Sequence, residues 1–574
     1  MKRFRVLLAL APLCLSAACA TGTYGQTAYP SADRPDEARA YSDFMVARFA
    51  ALTNDPEMAA RHYASAIATA PAEMDVAERA VFSALLAGDY GLAAGMSRRA
   101  SDAGSEAGLV RLTLISDAIG RGKTKAAIDL AEASDLRAFN RMVARNLEAW
   151  SLLDAEGADA AEALLQKNLT GDPRLDNVTL HMMGLVQAAA HKDDAAISTF
   201  DAIWASGARL AVGAETYAAL LAQRGDRARA LDILSQFRAD VGYNAALEGL
   251  KTRIESGEPV KAPRLTTRQG AALSLFLPAS ALIFQTDDDV AAVYFVLAVA
   301  LDPGLHQART LWAQSLIQAD RRVEAIRILS EVPASSPYYA AARSQMASSL
   351  LQEGRADEAL KVAAEALAAK PDRSLRLQLA DLYRALERQS EAESILTEVI
   401  LADEAEGRSD WRPIFSRGAA RERQAKFDGA EADMKRALEL SPGNATVLNY
   451  LGYSWIDRGI NLAEGFDLIR QAVALQPNSA HIVDSLGWAH YRFGQFDEAV
   501  DYLERAVELL PGDSILNDHL GDAYWNVGRR KEAGFQWRRA LKLDPSPEDR
   551  VKIEQKLMTG PGAPLPASGA SIAR

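Results

Sequence analysis

Residues 480–545 read AHIVDSLGWAHYRFGQFDEAVDYLERAVELLPGDSILNDHLGDAYWNVGRRKEAGFQWRRALKLDP, two copies of one pattern set 34 residues apart. Leu486-Gly487 answers Leu520-Gly521, Gly494 answers Gly528, Ala499 answers Ala533, Ala506 answers Ala540 and Pro511 answers Pro545. One offset shared by so many landmarks marks an internal repeat, because an ordinary amphipathic bundle has no reason to hold a fixed period. Within 514–528, Leu520 and Tyr524 lie four apart and share one face of a first helix. Gly521 and Ala533 are small where two paired helices would approach most closely. Trp537 and Ala540 offer the second helix's apolar side to the next hairpin, and Pro511 and Pro545 end one unit and begin another.

The pattern of a large residue before Leu-Gly, an aromatic, a turn Gly, two alanines and a closing Pro resembles the tetratricopeptide repeat (TPR). That resemblance implies an all-α solenoid of helical hairpins, a superhelix. Outward from the clear pair, the alanine at the helix–helix contact serves as a ruler. Ala59, Ala93, Ala127 and Ala161 fall 34 apart, and Ala196 and Ala230 follow at 35 and 34. Tyr63, Ala66 and Pro71 support the first unit, Gly88, Tyr90 and Ala100 the second, Gly184 and Phe200 the fifth, and Gly225 the sixth. The phase then breaks, since Ala291 comes 61 residues later. Residues 244–255 fit a helix, and 256–268, with Gly257, Pro259 and Pro263, read as a loop. Two readings of this junction stay open, a hinge and a packed irregular repeat. Ala291, Ala325 and Ala359 restart the period of 34, with Pro303, Pro337 and Pro371 in step. Ala392 and Ala430 follow, the latter delayed by the polar insert 403–410. One extra residue around Gly459-Ile460-Asn461 makes Gly465 the small contact residue of its unit.

The expected organisation is therefore about fourteen repeats in two sub-arrays, 40–244 and 272–545, with an irregular junction over 245–271. A capping helix is expected over 546–558 and a disordered Gly/Pro/Ala/Ser-rich tail over 559–574. At 574 residues a globular chain would suggest several domains, but a solenoid adds length without enlarging one core.

The formal net charge is −12, which argues against nucleic acid as a partner. The two cysteines, Cys14 and Cys19, both lie in the first twenty residues, so the rest of the chain has no disulfide, thiolate metal site or cysteine nucleophile. Lys2, Arg3 and Arg5 precede a short apolar core, Val6–Leu15, too short to span a bilayer. Residues 1–18 thus read as a signal peptide. Ser16-Ala17-Ala18-Cys19 resembles a bacterial lipobox, in which Cys19 becomes the lipid-modified first residue. It departs from the usual form in carrying Ser16 where Leu is common. Plain cleavage after Ala18-Cys19-Ala20, giving a soluble exported protein, is the other reading. Residue 20 is Ala and not Asp, which points to the outer membrane, and 19–39 reads as the lipidated Cys and a tether.

No catalytic constellation stands out. Gly120-Arg121-Gly122-Lys123-Thr124 has Asp117 where a phosphate loop needs its first Gly, and no strand precedes it, so Gly122 reads as an inter-helix turn. The seven histidines form no metal-spaced pair. His490 sits in a core-aromatic slot, and His481 and His519 are placed to face a groove. There is no GxSxG elbow. Neither a cofactor nor a small-molecule substrate is expected.

In TPR arrays the first helices line the concave face. Carried onto the last four units, the inward positions are Arg412, Phe415 and Arg423, then Asn449, Tyr453 and Asp457. The next two units give His481, Asp484, Trp488, Tyr491 and Arg492, then Asp518, Asp522, Trp525 and Asn526. Trp, Tyr and Arg dominate binding hot spots. The other reading is that Trp488 and Trp525 pack between neighbouring hairpins. The Lys/Asn pattern of the chaperone-tail carboxylate clamp is absent. As a whole the chain resembles the large outer-membrane TPR lipoproteins of Gram-negative bacteria. Some of those are adaptors that bind a periplasmic carboxyl-terminal processing protease and present it with cell-wall hydrolases. The resemblance implies a non-catalytic scaffold with protein partners. The alternative is an assembly factor for pili, secretion machinery or polysaccharide export.

Overall fold

The computed structural model describes residues 35–69, 74–133, 136–282 and 288–562. Residues 1–34, on which the expected leader, the lipidated Cys19 and most of the expected tether fall, and residues 563–574 of the expected tail lie outside the described residues. Within them every regular element is a helix. The first six helices are α1 (Pro35–Leu52), α2 (Pro56–Thr69), α3 (Met74–Leu86), α4 (Tyr90–Asp102), α5 (Gly108–Gly120) and α6 (Thr124–Glu132). Then come α7 (Ala138–Ala155), α8 (Ala158–Lys167), α9 (Pro173–Ala189), α10 (Asp193–Ala205), α11 (Ala211–Gln223) and α12 (Arg227–Asp240). The middle of the chain holds α13 (Ala245–Ser256), α14 (Thr267–Leu282), α15 (Asp288–Leu301), α16 (His306–Gln318), α17 (Arg322–Ser330) and α18 (Tyr339–Gln352). Next are α19 (Ala356–Ala369), α20 (Arg373–Ala385), α21 (Gln389–Ala405), α22 (Trp411–Arg423), α23 (Phe427–Leu440) and α24 (Ala445–Arg458). The last are α25 (Leu462–Leu475), α26 (Ala480–Arg492), α27 (Phe496–Leu509), α28 (Ser514–Asn526), α29 (Arg530–Lys542) and α30 (Pro547–Thr559).

In chain order this is six pairs before α13 and eight between α13 and α30, the count the alanine ruler gives. The ruler itself lies in the core. Ala59, Ala93, Ala127, Ala161, Ala196, Ala230, Ala291, Ala325, Ala359, Ala392, Ala499 and Ala533 are all 0% exposed. Where the marker is Gly465, the reason is geometric: a Cβ on the facing Gly452 would meet the Gly465 carbonyl at 2.6 Å. The backbones of α24 and α25 therefore approach as only small residues allow. Gly521 is likewise filled by the Trp537 ring, which a Cβ there would overlap.

Turns and caps follow from local chemistry. Gly494 and Gly528 close the α26–α27 and α28–α29 turns in left-handed conformations, φ 74° and 84°. The same conformation is imposed where the sequence lacks glycine, at Asp320, Glu387 and Ala425. Packing of the paired helices thus sets the turn, and the residue adapts. For Ala425, at φ 56°, the left-handed conformation costs roughly 1–2 kcal/mol. Ala425→Gly should therefore slow hydrogen exchange in α22 and α23, a net gain of about 0.5–1 kcal/mol after glycine's greater unfolded-state freedom. Side chains accept the first free N–H groups at several first-helix starts: Asp372, Asp410, Asn444 and Asp513 cap α20, α22, α24 and α28.

Close contacts group the helices into two compact units. The first contains the described residues up to His191 with Leu265–Pro278 and Val296–Leu301. Here Gly270 of α14 lies flat on the fully buried Trp150 of α7, Ser274 approaches the Met182 sulfur at 3.5 Å, and Leu301 approaches Gly120. The second contains Lys192–Arg264, Ala279–Phe295 and the described residues from Asp302. The division on α14 falls at Pro278, a proline inside a helix. This grouping by contact differs from the division at the phase break of the repeat. Within the expected junction, α13 is a packed helix lying against both α11 and α12, the position of a first helix without its partner. Helix α1 begins at Pro35, five residues before the expected start of the array, with Pro in a position where its missing N–H has no cost.

Candidate protein-binding face

Within the second unit, first helices touch first helices: α16 meets α18, α18 meets α20, α24 meets α26 and α26 meets α28. Second helices make no comparable contact with one another and instead touch their own partner and the next first helix. The first helices therefore line one shared face, and three neighbourhoods on it differ in chemistry.

Across α16, α18 and α20 lies a concavity of about 760 Å³ lined by Gln314, Ser344, Gln345, Ser348, Gln378 and Asp381 among others. Gln378 Nε2 donates to the Ser344 carbonyl. The side-chain oxygens of Gln345 and Gln378 are buried beneath this concavity without a hydrogen-bond partner, so the surface an incoming chain would meet is made by the exposed amide and hydroxyl groups around them. The inward positions expected from the sequence begin on α22, so none of these residues is among them. The unpaired amide oxygens are visible only once the helices are side by side.

Between α20 and α24 the face turns aromatic and cationic. Two adjoining hollows share Arg423 and Tyr450. One adds Arg384, Glu387 and Phe415. The other, of about 390 Å³, adds Tyr453, Asp457 and Arg458. Phe415 stands edge-on to Tyr450 at 5.4 Å and to Trp411 at 6.0 Å, over which Arg412 lies at 5.3 Å. Burial, with Glu422 close to Tyr450 and Asp457 close to Tyr453, holds both phenols well above their ordinary range, so they act as neutral donors. Arg412 and Arg423 are exposed, and the Arg423–Glu387 pair at 3.4 Å is exposed on both sides, so little holds these cations back. Asn449 of α24 keeps a buried side-chain oxygen without a partner. Of the residues expected here, Arg412, Phe415, Arg423, Asn449, Tyr453 and Asp457 thus fall on α22 and α24. The structure adds Arg384, Tyr450 and Arg458.

The last neighbourhood is closed. Asp484 and Asp522 are buried and Tyr491 is 3% exposed. These three expected contacts are interior residues, because each engages its polar group within the chain. Both Asp484 carboxylate oxygens lie 3.0–3.1 Å from His519 Nδ1. Burial drives the His519 imidazole down, but Asp484, Asp518 and Asp522 outweigh it and hold the ring above its ordinary range. Trp488 is stacked between His519 at 4.2 Å and Tyr491 at 4.8 Å. Asn526 donates to the Tyr491 hydroxyl at 3.1 Å. Lys556 of α30 reaches Asp518 at 2.7 Å and Asp522 at 2.8 Å, and Gly560 lies against the Trp525 ring. Helix α30 therefore lies against α28 through Lys556 and the turn at Gly560, and of the residues expected in a disordered tail Thr559 closes α30 and Gly560 is part of this packing. His481 remains exposed. Arg492 lies along α24, donating to the Asp457 carbonyl at 2.9 Å. His490 stacks on Tyr502 at 5.2 Å and bonds Gln495 at 2.7 Å, a core role. Among the described residues, no group of His, Cys, Asp and Glu is arranged to hold a metal ion.

The fold and this face together define an all-helical protein of stacked hairpins whose first helices offer a common surface. Two tetratricopeptide-repeat family models match it, over residues 482–513 and 516–547. A TPR repeat-containing protein of Pseudomonas aeruginosa is 33% identical over 90 residues, 16% of this chain and 15% of that protein's length. Among solved structures, the Cut9-Hcn1 hetero-tetramer of the APC/C is 15% identical, with a TM-score of 0.37 over 85% of this chain and 96% of that one. A tetratricopeptide repeat protein from Parabacteroides merdae is 14% identical, with a TM-score of 0.39 over 44% and 99%.

Proposed function

We propose that the chain is a non-catalytic scaffold of the bacterial cell envelope, tethered through a lipid on Cys19 and binding other proteins on its first-helix face. Tetratricopeptide repeats generally serve protein–protein interaction, and the hollow between α20 and α24 carries this reading for the present chain. Phe415, Tyr450 and Tyr453 supply rigid apolar area there, and Arg384, Arg423 and Arg458 supply cations, the first two held only by solvent-accessible pairs with Asp381 and Glu387 that a partner carboxylate could replace. The Gln/Ser concavity over α16–α20 extends the groove with a polar floor of amides and hydroxyls. The partners suggested by the overall resemblance are a periplasmic carboxyl-terminal processing protease and its cell-wall hydrolase substrates, with the outer membrane as the site. Assembly of pili, secretion machinery or a polysaccharide exporter is the second reading, which the same groove would serve.

Capture from detergent-solubilised envelope separates the two. Protease together with hydrolases supports the adaptor, and secretion or polysaccharide components support the assembly factor. Phe415→Ala with Arg423→Ala should weaken the captured complex by roughly ten-fold or more, since hot-spot truncations cost above about 1–2 kcal/mol. Unchanged binding by a folded double variant would move the site elsewhere. Hydrolysis of a peptide or glycan by the purified protein alone would revive an enzymatic reading.

A further inference from the structure

Where α26, α28 and α30 meet, the chain buries more acid than fixed cation. Asp484 of α26 and Asp518 and Asp522 of α28 have side chains only 7%, 16% and 5% exposed. Lys556 of α30 pairs with Asp518 and Asp522. The group paired with Asp484 is the His519 imidazole, itself buried, with Nδ1 3.0–3.1 Å from both carboxylate oxygens. One Asp518 oxygen is buried with no hydrogen-bond partner. Three carboxylates against one ammonium leave the cluster short of positive charge. The imidazole can supply it by carrying a proton on both ring nitrogens. The ring stacked on it favours the same form: Trp488 lies 4.2 Å from His519 with the planes 18° apart, and an indole face attracts a cation.

Groups on the surrounding elements do not make up the deficit. Arg492 of α26 turns to α24, donating to the Asp457 carbonyl and lying 3.4 Å from its carboxylate. Tyr453 of α24 and Tyr491 of α26 are near these acids, and burial holds both phenols well above their ordinary range, so they stay neutral. Glu504 of α27 is engaged by Tyr524 and Arg529. Trp537 of α29 donates to Asp522. We propose that His519 is a proton-held latch between α26 and α28: doubly protonated, it ties the terminal hairpin and α30 to the array, and loss of that proton lets them part. Hairpins of an array touch only their neighbours, so this end can open while the rest stays folded. Burial opposes the charged ring, but Asp484, Asp518 and Asp522 outweigh it and hold the imidazole above 6.5. The packed end therefore binds the proton more tightly than the open chain does. That stabilisation is fully present below about pH 6.5 and is lost as the pH rises through the higher value of the packed state. Asp522, which burial holds at about 6, acts in the same direction over a lower range.

The test is hydrogen exchange of the full chain from about pH 6 to pH 9, each rate divided by the intrinsic rate at that pH. Protection over α26–α30 should fall by roughly ten-fold or more across this range, ten-fold being the change given by one pH unit of tighter proton binding. Protection over α16–α22 should hold. His519→Gln should abolish the dependence. Asp484→Asn keeps the imidazole but removes the acid that holds its proton, so it should move the fall to lower pH, and it serves should the Gln variant fail to pack. An NMR titration of the His519 ring in the wild-type chain should place its midpoint above 6.5. Protection over α26–α30 that stays flat from pH 6 to 9, or that falls equally over α16–α22, overturns the inference. So does a His519 midpoint at or below 6.5, which would make the Asp484 contact a neutral hydrogen bond.

Discussion

Lys556→Ala should release α30 from the end of the array and cost about 3 kcal/mol. The ammonium reaches Asp518 and Asp522 at 2.7 and 2.8 Å, and the three side chains are only 18%, 16% and 5% exposed. Trp537 Nε1 adds a donor to the other Asp522 oxygen at 3.1 Å. Burial pushes the Asp522 carboxyl up to about 6 even with Lys556 beside it, so this carboxylate depends on its cationic partner to stay ionised at neutral pH. Burial opposes the charge on Lys556 as well, but the two aspartates outweigh it and hold the ammonium above its ordinary range. Breaking a buried pair from one side typically costs about 3–5 kcal/mol, because the remaining charge keeps its desolvation penalty. Partial exposure places this case at the lower end. Since repeat arrays unfold in segments, the measurement is hydrogen exchange over α28–α30 alongside denaturation. Lys556→Met combined with Asp518→Asn and Asp522→Asn removes all three charges and should recover most of the loss. A cost under about 1 kcal/mol for Lys556→Ala would mean that α30 is held by apolar packing of Ile553 and Gly560 instead.

The repeat was legible in the sequence because helix–helix contact makes a local demand that recurs. A position admitting only Ala or Gly returns with every hairpin, and the substitution of Gly465 for Ala could be predicted from one inserted residue. Turns were legible only in part. Gly494 and Gly528 announced theirs, whereas Glu387 and Ala425 adopt the same conformation with nothing in their chemistry to say so. Contacts without a period were invisible. The packing of Gly270 on Trp150 joins residues 120 positions apart, and no spacing rule could place residues 265–278 with the first compact unit.

At the candidate site the limits were of another kind. Position along a first helix speaks to which residues point toward the neighbouring first helices, but not to which of them the chain itself would satisfy. Asp518 and Asp522 read as free acids in a groove because the residue that neutralises them lies 38 and 34 positions downstream, on a helix expected only to shield an apolar flank. The Gln/Ser concavity over α16–α20 failed to register for the opposite reason. Amide side chains carry no hot-spot signature, and which of them line a concavity depends on how neighbouring first helices stand side by side.

Trp488→Ala together with Trp525→Ala is the substitution on which groove and core readings diverge most. As groove contacts, the two tryptophans could be removed with loss of partner binding and no loss of structure. The geometry predicts otherwise. Trp488 is held in a stack with His519 and Tyr491, its indole N–H buried, and its removal would leave the Asp484–His519 pair without the ring that covers it. Trp525 lies against Trp537 at 5.6 Å and beneath Arg530 at 4.9 Å, with Gly560 pressed on its edge. Full truncation of a buried tryptophan costs about 3–5 kcal/mol, and these partly buried rings should lose about 2 kcal/mol each. They sit on adjoining first helices around one core cluster, so the double variant need not be additive. Hydrogen exchange should speed through α26–α30 while α16–α22 stays protected, and partner binding at the α20–α24 hollow should survive. Intact protection with lost binding would return both tryptophans to the groove and move the binding face to the carboxyl-terminal end of the array.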